Sequence, residues 1–339
     1  MTIALVYDLR EDWLAQGLSH EEVAEFDSIE TIDLLAEALE RASGARIERV
    51  GQGRALAARL IAGVRYDLVF SIAEGRSGRN REAQVPALCE MFDQPYVFSD
   101  PLTLSVSLDK AVAKRLVREA GLRTTTSLLL SDADGIADSD LAFPLFVKPN
   151  SEGTGKGCER ASLVRNAAEL RHAVSSVMRR FSQPALVEPY LAGREFTVGI
   201  LGEGEAAHVI AVMEIFLGRN AEPGIYSFLN KEEFETRVTY GLAEDDEARE
   251  AGELALAAYR TLGCRDAGRV DIRSNEKGMP HFMEINPLAG LHPTRSDLPI
   301  LARLAGIGYE RLIGEILEHA CRRQGIDLPV PMPRLVATA

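Results

Sequence analysis

Two short segments near the C-terminus carry the side chains best suited to chemistry. Asp271 lies in Arg269-Val-Asp-Ile-Arg273, and Glu284 and Asn286 lie in Phe282-Met-Glu-Ile-Asn286. Both segments read as strands, and residues two apart on a strand point to one face. If the strands pair, Asp271 reaches that face too. Three oxygen donors without His or Cys suit Mg²⁺, which keeps waters and substrate phosphates in its shell. Polar strand ends paired with Arg269 and Arg273 are the other reading, and the residues alone leave both open. A second group centres on Asn150-Ser-Glu-Gly-Thr-Gly-Lys-Gly157, the most glycine-dense stretch of the chain. Gly153, Gly155 and Gly157 let the backbone approach phosphates and offer them N–H groups; a tight β-hairpin is the alternative. A Walker A loop is excluded, because Gly155-Lys156 is followed by Gly157 instead of Ser or Thr, and the GxGxxG spacing fails as well. Lys148 ends a predicted strand and Lys110 starts a predicted helix. Both can neutralise phosphate charge, although most lysines are solvated surface groups.

The elements that must position these side chains change character along the chain. Strands at Thr2–Tyr7, Arg46–Val50, Tyr66–Ile72 and Gln94–Phe98 alternate with helices opening near Ile29, at Arg54–Ala62 and at Arg81–Phe92. This alternation predicts an α/β domain over 1–105, a parallel sheet with helices on both faces. Asp27 and Glu30 read as a capping box for the first long helix, with Asp27 as N-cap. Residues 106–190 read as an α+β unit, with a helix at Leu108–Ala120, strands at Thr124–Leu130, Phe143–Pro149 and Cys158–Ser162, and a helix from Asn166. Residues 191–324 read as a larger α+β unit. Antiparallel strands, among them Glu195–Leu201, His208–Phe216, Ala267–Arg273 and Pro280–Asn286, surround a helix at Glu244–Leu262. Its residues 217–243 read as a long polar loop, and 325–339 as a tail.

Composition narrows the function classes. Thirty-eight Lys and Arg against fifty-one Asp and Glu give 339 residues a net charge of −13. A nonspecific nucleic-acid binder needs a basic footprint and is excluded, whereas an anionic substrate is not, because local charge can oppose global charge. With 46% apolar and 26% charged residues, the chain is ordinarily globular. Cys89, Cys158, Cys264 and Cys321 are widely spaced without a CxxC pair, which reads as reduced thiols in a cytoplasmic protein. No apolar stretch approaches the ~18 residues of a membrane helix, and Thr2–Tyr7 reads as a first strand, not a signal peptide.

Taken in order, Lys110, Lys148-Pro149 with its glycine loop, Val187-Glu-Pro-Tyr-Leu191, Gly193-Arg-Glu-Phe-Thr197, Arg269-Val-Asp271 and Glu284-Ile-Asn286 resemble the ATP-grasp superfamily. Within it the chain looks like the D-alanine–D-alanine ligase branch. The resemblance implies an N-terminal α/β domain followed by two α+β lobes that clasp ATP. It implies Lys110 and Lys148 at the phosphates and adenine side, and Glu152, Gly153 and Thr154 as the loop over the phosphates. It implies Glu188, Tyr190 and Leu191 at adenine and Glu195 at the ribose. Asp271, Glu284 and Asn286 would hold two Mg²⁺ ions, with Mn²⁺ as a substitute, and Arg269 and the Gly290 N–H would meet a tetrahedral oxyanion. Tyr226-Ser-Phe-Leu-Asn-Lys231 resembles the family's lid motif and would bring Lys231 to the γ-phosphate. The implied activity is ADP-forming ligation of small-molecule carboxylates and amines through an acyl phosphate, by a homodimer.

The pattern breaks where the amino-acid substrates would sit. The family's Gly-Gly-x-Ser-x-Glu motif after strand one is absent, with Asp8-Leu-Arg-Glu-Asp-Trp13 in its place and Glu21, Glu22 and Glu25 unassigned. Glu232 follows the lid lysine where the family usually has Tyr. Ala73-Glu74-Gly75 replaces a His-Gly and leads into Arg76, Arg79 and Arg81, a set able to grip a carboxylate or to be a solvated loop. Ser296 fits the residue that holds the second substrate's carboxylate, with Arg295 as the alternative. The expectation is therefore a ligase with an intact nucleotide site and rewritten amino-acid subsites, with Arg76 and Glu232 among the substrate candidates. A true D-alanine–D-alanine ligase and a regulatory ATP-binding module are the competing readings.

Overall fold

The structure, a computed structural model, describes residues 1–132 and 141–329. The chain opens with β1 (Thr2–Val6), α1 (Arg10–Ala15), α2 (Ile29–Ser43), β2 (Arg46–Gly51), α3 (Gly53–Ile61), β3 (Leu68–Ser71) and α4 (Gln84–Met91). The strands form a parallel sheet in the order β2-β1-β3. The two-residue period of β1 feeds two cores: Ile3 and Leu5 pack with Ile32, Leu35 and Leu39 of α2, whereas Ala4 and Val6 pack with Leu56 and Leu60 of α3 and Val85 of α4. The strand expected at Gln94–Phe98 shrinks to one parallel bridge between Val69 and Tyr96. Pro95 has no N–H to give a ladder, and Phe98 leaves extended geometry at φ 74°. The N-cap of α2 is Ser28, not Asp27: its hydroxyl accepts the Thr31 N–H at 3.3 Å. That frees the Asp27 carboxylate for other partners.

Next come α5 (Pro101–Leu108) and α6 (Lys110–Glu119), separated by Asp109, which is extended at ψ 94° and caps α6 by accepting the Val112 N–H at 3.0 Å. Strands β4 (Leu128–Leu130), β5 (Leu145–Pro149) and β6 (Leu163–Val164), helix α7 (Ala167–Phe181) and strand β7 (Ala185–Pro189) follow. They make an antiparallel sheet ordered β4-β7-β5-β6. The strand expected at Cys158–Ser162 is instead a loop ending in a single 3₁₀ turn, Arg160–Ser162, closed by reciprocal Glu159 and Ser162 bonds.

The remainder contains β8 (Glu195–Leu201), β9 (His208–Leu217), α8 (Phe228–Glu232), α9 (Phe234–Arg237), β10 (Val238–Leu242), α10 (Asp246–Thr261), β11 (Ala267–Ser274), β12 (Pro280–Asn286), α11 (Asp297–Leu304) and α12 (Tyr309–Gln324). Its five strands are antiparallel in the order β10-β9-β8-β11-β12. Residues 217–243 are thus more than a loop. Ser227 caps α8 through the Asn230 N–H at 3.2 Å, and β10 pairs with β9 from Val238 opposite Leu217. An edge strand with half-exposed residues carries little apolar alternation, which is why its sequence reads as polar loop. Helix α10 covers this sheet, and Ala113 and Val117 of α6 join the same core beside Phe196, Tyr259 and Phe282. Helix α12 returns to pack Leu312 and Ile316 with α2 in the N-terminal core. All four cysteines are free thiols. Among the described residues no helix is long and apolar enough to cross a membrane. The tail expected at 325–339 lies outside the described residues from 330 onward.

Candidate active site

The two sheets of the C-terminal half face each other across a cleft. In its wall, β11 and β12 pair with Asp271 opposite Glu284 and Arg269 opposite Asn286, so the four polar side chains share one face as strand periodicity requires. The Arg269 guanidinium lies 3.3 Å from Asp271 and also pairs with Asp297. Thr197 donates to Asp271 Oδ1 at 3.1 Å, Asn286 Nδ2 reaches Asp271 Oδ2 at 3.4 Å, and Lys110 Nζ stands 3.5 Å from Glu284. Burial pushes Asp271 up to about 6, Arg269 opposes that, and the Glu284 charge adds to it. Burial works against ionisation of Glu284 too, but Lys110, Lys148, Lys231 and Arg269 outweigh it and hold it at about 2. Two adjacent carboxylates and an amide make an all-oxygen set that fits a hard divalent cation. No group of three or more His, Cys, Asp and Glu side chains able to hold a metal occurs among the described residues.

Opposite, the wholly buried Glu188 of β7 receives Lys114 Nζ at 2.7 Å, Lys148 Nζ at 2.9 Å and the Thr125 hydroxyl at 2.6 Å. Burial alone would raise its pKa, yet the two lysines keep it well below the carboxylate range. Burial pushes Lys114 down to about 8 against the pull of Glu188, whereas Glu188 and Glu284 overcome burial and raise Lys148. Lys114 escapes a sequence reading because a lysine on an amphipathic helix looks like a solvated group. The glycine loop turns through left-handed backbone at Thr154, φ 52°, and Gly155, φ 73°. At Gly157 a Cβ would come within 2.5 Å of Pro149. Lys110 Nζ donates to the Glu152 carbonyl at 2.5 Å. The Tyr190 hydroxyl donates to Gly224 O at 2.7 Å, and Arg273 ties Tyr190 to Glu195, which it meets at 3.0 Å.

Lys110, Lys148, Glu152, Glu188, Tyr190, Leu191, Glu195, Asp271 and Glu284 therefore line one cleft. Gly153, Thr154, Glu232, Arg269, Asn286, Gly290, Arg295 and Ser296 line an adjoining pocket of ≈ 220 Å³. Lys231 of α8 faces both. Gly290 and Ser296 are packed together: a Cβ on Gly290 would stand 2.8 Å from Ser296 Oγ, which accepts the His292 N–H at 3.0 Å. Arg76 is not brought to this pocket. It is exposed, lies over the Trp13 ring at 5.4 Å and borders a separate cleft. Arg79 pairs with Asp109 at 2.6 Å, and the buried Arg81 turns inward to Glu25 at 3.1 Å and to the Ser151 carbonyl at 2.7 Å.

Of the three unassigned glutamates, Glu25 enters the site. It accepts the Gly153 N–H at 2.6 Å and pairs with Lys156 at 2.9 Å, so a loop of the N-terminal domain grips the glycine loop. Asp27, Glu74 and Glu82, which sequence reasoning does not assign, also line the pocket. Asp27 left a trace in the sequence only as a helix cap, Glu74 only within the Ala73-Glu74-Gly75 departure, and Glu82 none.

Residues 120–318 match the family model described as D-ala D-ala ligase C-terminus. The chain is 32% identical to the D-alanine–D-alanine ligase of Marinomonas sp. over 268 residues, 77% of this chain and 80% of that one. It is 35% identical over 259 residues to the uncharacterized protein y4sG of Sinorhizobium fredii, 76% of this chain and 75% of that one. Its fold matches that of a D-alanine–D-alanine ligase from Bacillus anthracis complexed with ATP, with a TM-score of 0.72, 23% identity, and coverage of 96% of this chain and 98% of the other.

Proposed function

This chain belongs to the D-alanine–D-alanine ligase family, with the ATP-grasp fold and the ATP-dependent, ADP-forming C–N ligase activity of that family, and on that premise we propose that it joins a carboxylate to an amine through an acyl phosphate, with amino-acid subsites of its own. The observation that supports this most is Arg269. It is held between Asp271 and Asp297, and it borders the pocket while its strand neighbours line the cleft.

The cleft takes ATP. Glu188, Tyr190 and Leu191 meet adenine and Glu195 the ribose. Lys110, Lys148 and Lys231 offset the triphosphate charge, and the Gly153–Thr154 loop, turned for close approach and held by Glu25 through the Gly153 N–H, covers the phosphates with the Thr154 N–H on offer. Asp271, Glu284 and Asn286 would hold Mg²⁺, in two ions, which when bound supplies neutralising charge for the phosphoryl group in transfer. A carboxylate is a poor electrophile at neutral pH, and taking the γ-phosphoryl group makes it an acyl phosphate. The amine then attacks the acyl carbon, and its developing O⁻ meets Arg269 and the Gly290 N–H, donors fixed before the reaction. Phosphate leaves and an amide remains. The 217–243 segment, with α8 and Lys231, keeps water from the acyl phosphate. Ser296 or Arg295 holds the second substrate's carboxylate, and Glu232, in the usual place of a tyrosine, contributes to the altered specificity. The same proposal includes a cytoplasmic homodimer acting on free amino acids.

The test is ADP release from the full chain with Mg-ATP across D- and L-amino acids, singly and in pairs, for wild type and Arg269→Ala. An acid–amine pair other than two D-alanines, with its stimulation lost in the variant, supports the proposal. Full stimulation by D-alanine alone makes this a D-alanine–D-alanine ligase and overturns the altered subsites. Silence with every amino acid favours a nucleotide-binding module.

A further inference from the structure

The pocket beside Arg269 has an excess of acid that the protein itself does not satisfy. Glu74 and Glu82 both line it, and neither has a hydrogen-bond or ion-pair partner among the described residues. Their neighbours are otherwise engaged. Arg81 favours both carboxylates by its charge, but its hydrogen bonds go to Glu25 and the Ser151 carbonyl. Arg10 donates to the carbonyls of Phe26 at 3.1 Å and Ala24 at 3.5 Å. Asp27, released from capping, adds a third carboxylate to the same wall. Both carboxyls line this one pocket; burial raises Glu74, the Glu82 charge adds to it, and the Arg81 charge works the other way.

An independent observation comes from His292, which is 9% exposed and lines the same pocket. Its Nδ1 faces the Thr294 N–H at 3.3 Å, which places the proton on Nε2. That Nε2–H has no hydrogen-bond acceptor, the nearest carboxylate being Glu30 at 3.8 Å. A buried donor without an acceptor costs free energy until a ligand supplies one. The pocket thus offers a donor for a carboxylate and, elsewhere on its wall, carboxylates for a cation.

One α-ammonium group needs a single carboxylate. We infer that the pocket takes an amino acid carrying a second cationic group on its side chain, with Glu74 and Glu82 receiving that group and His292 donating to a substrate carboxylate. This deepens the ligase reading and rests on it. Alanine-sized substrates would leave both glutamates unmatched, and like-charged, half-buried carboxylates favour whichever ligand neutralises them.

Calorimetric titration of the full chain, loaded with Mg²⁺ and a non-hydrolysable ATP analogue, tests this with alanine, serine, 2,3-diaminopropionate, ornithine and lysine in both chiralities. At least one dibasic acid should bind ~tenfold or more tighter than alanine of the same hand, a 1.4 kcal/mol preference. In Glu74→Gln/Glu82→Gln that ratio should fall to near one, with Glu82→Gln alone giving a partial fall if the double variant does not fold. A wild-type ratio of one or less, no binding of any dibasic acid, or an unchanged ratio in the variants overturns the inference. ADP release lost in Arg269→Ala but driven only by neutral amino acids would leave the ligase standing and remove this inference alone.

Discussion

The cleft and the pocket adjoin, yet they treat charge in opposite ways. In the cleft the buried Glu188 sits between Lys114 and Lys148, 2.7 and 2.9 Å away, with a hydroxyl completing its shell. In the pocket Glu74 and Glu82 have no such partners, and burial pushes Glu82 up to about 7. The cleft is therefore preorganised without a ligand, as a site for one invariant nucleotide should be, because its fixed charges need no rearrangement on binding. The pocket leaves charge for its ligand to complete, so its fit depends on what enters. On the function proposed above, nucleotide binding and substrate choice are thereby separated in the same chain.

The largest expected effect breaks the cleft's side of this contrast. Lys114→Met leaves Glu188 with one lysine, and losing a partner from a buried ion pair costs about 3–5 kcal/mol, seen as a lowered urea midpoint. Arg269→Ala should slow ADP release by ~10²–10³-fold, the usual cost of one oxyanion donor, with little change in nucleotide affinity. Gly290→Ala puts a Cβ 2.8 Å from Ser296 Oγ; overpacking of about 1–3 kcal/mol should appear as weakened substrate binding more than as lost stability. The pocket's side is tested by pH. Glu82, opposed by Arg81 and Lys110 and reinforced by Glu25 and Glu152, and Asp27, opposed by Arg10 and reinforced by Asp8, are both raised to about 7, chiefly by burial. Folded protein then holds more protons than unfolded chain between the ordinary carboxylate pKa and about 7, so ligand-free stability falls as pH rises through that window. Glu82→Gln and Asp27→Asn should each flatten the slope in chemical denaturation. The smallest effect is Ser28→Ala, about 1 kcal/mol from a lost N-cap. Asp27→Ala should leave the cap intact.

The contrast also explains what could be read without coordinates. Asp271, Glu284 and Asn286 were legible because strand periodicity fixes which side chains share a face, and β11 and β12 pair with Asp271 opposite Glu284. The glycine loop was legible because its backbone demands glycine, as the crowded Gly157 shows. The pocket's acidic wall was not, since Glu25 and Glu74 come from connections between elements and Glu82 from a single 3₁₀ turn, Arg81–Ala83, where spacing encodes no direction. Lys114 was hidden differently: its partner Glu188 is on another sheet, and no local pattern links a helix lysine to a strand glutamate. Ser28 and Asp27 are both good cap formers, and only the observed bond to the Thr31 N–H decides between them.

Lys114 has one more consequence. Its helix packs into the core of the five-stranded sheet, its ammonium group also donates to the Phe282 carbonyl of β12 at 3.2 Å, and yet its ion-pair partner belongs to the four-stranded sheet. A fragment cut after Gly121 would take Glu188 along and leave this lysine behind. The nucleotide-clasping half is thus not a portable cassette: grafted onto another scaffold, or expressed by itself, it would carry an acid whose counter-ion stayed with the parent.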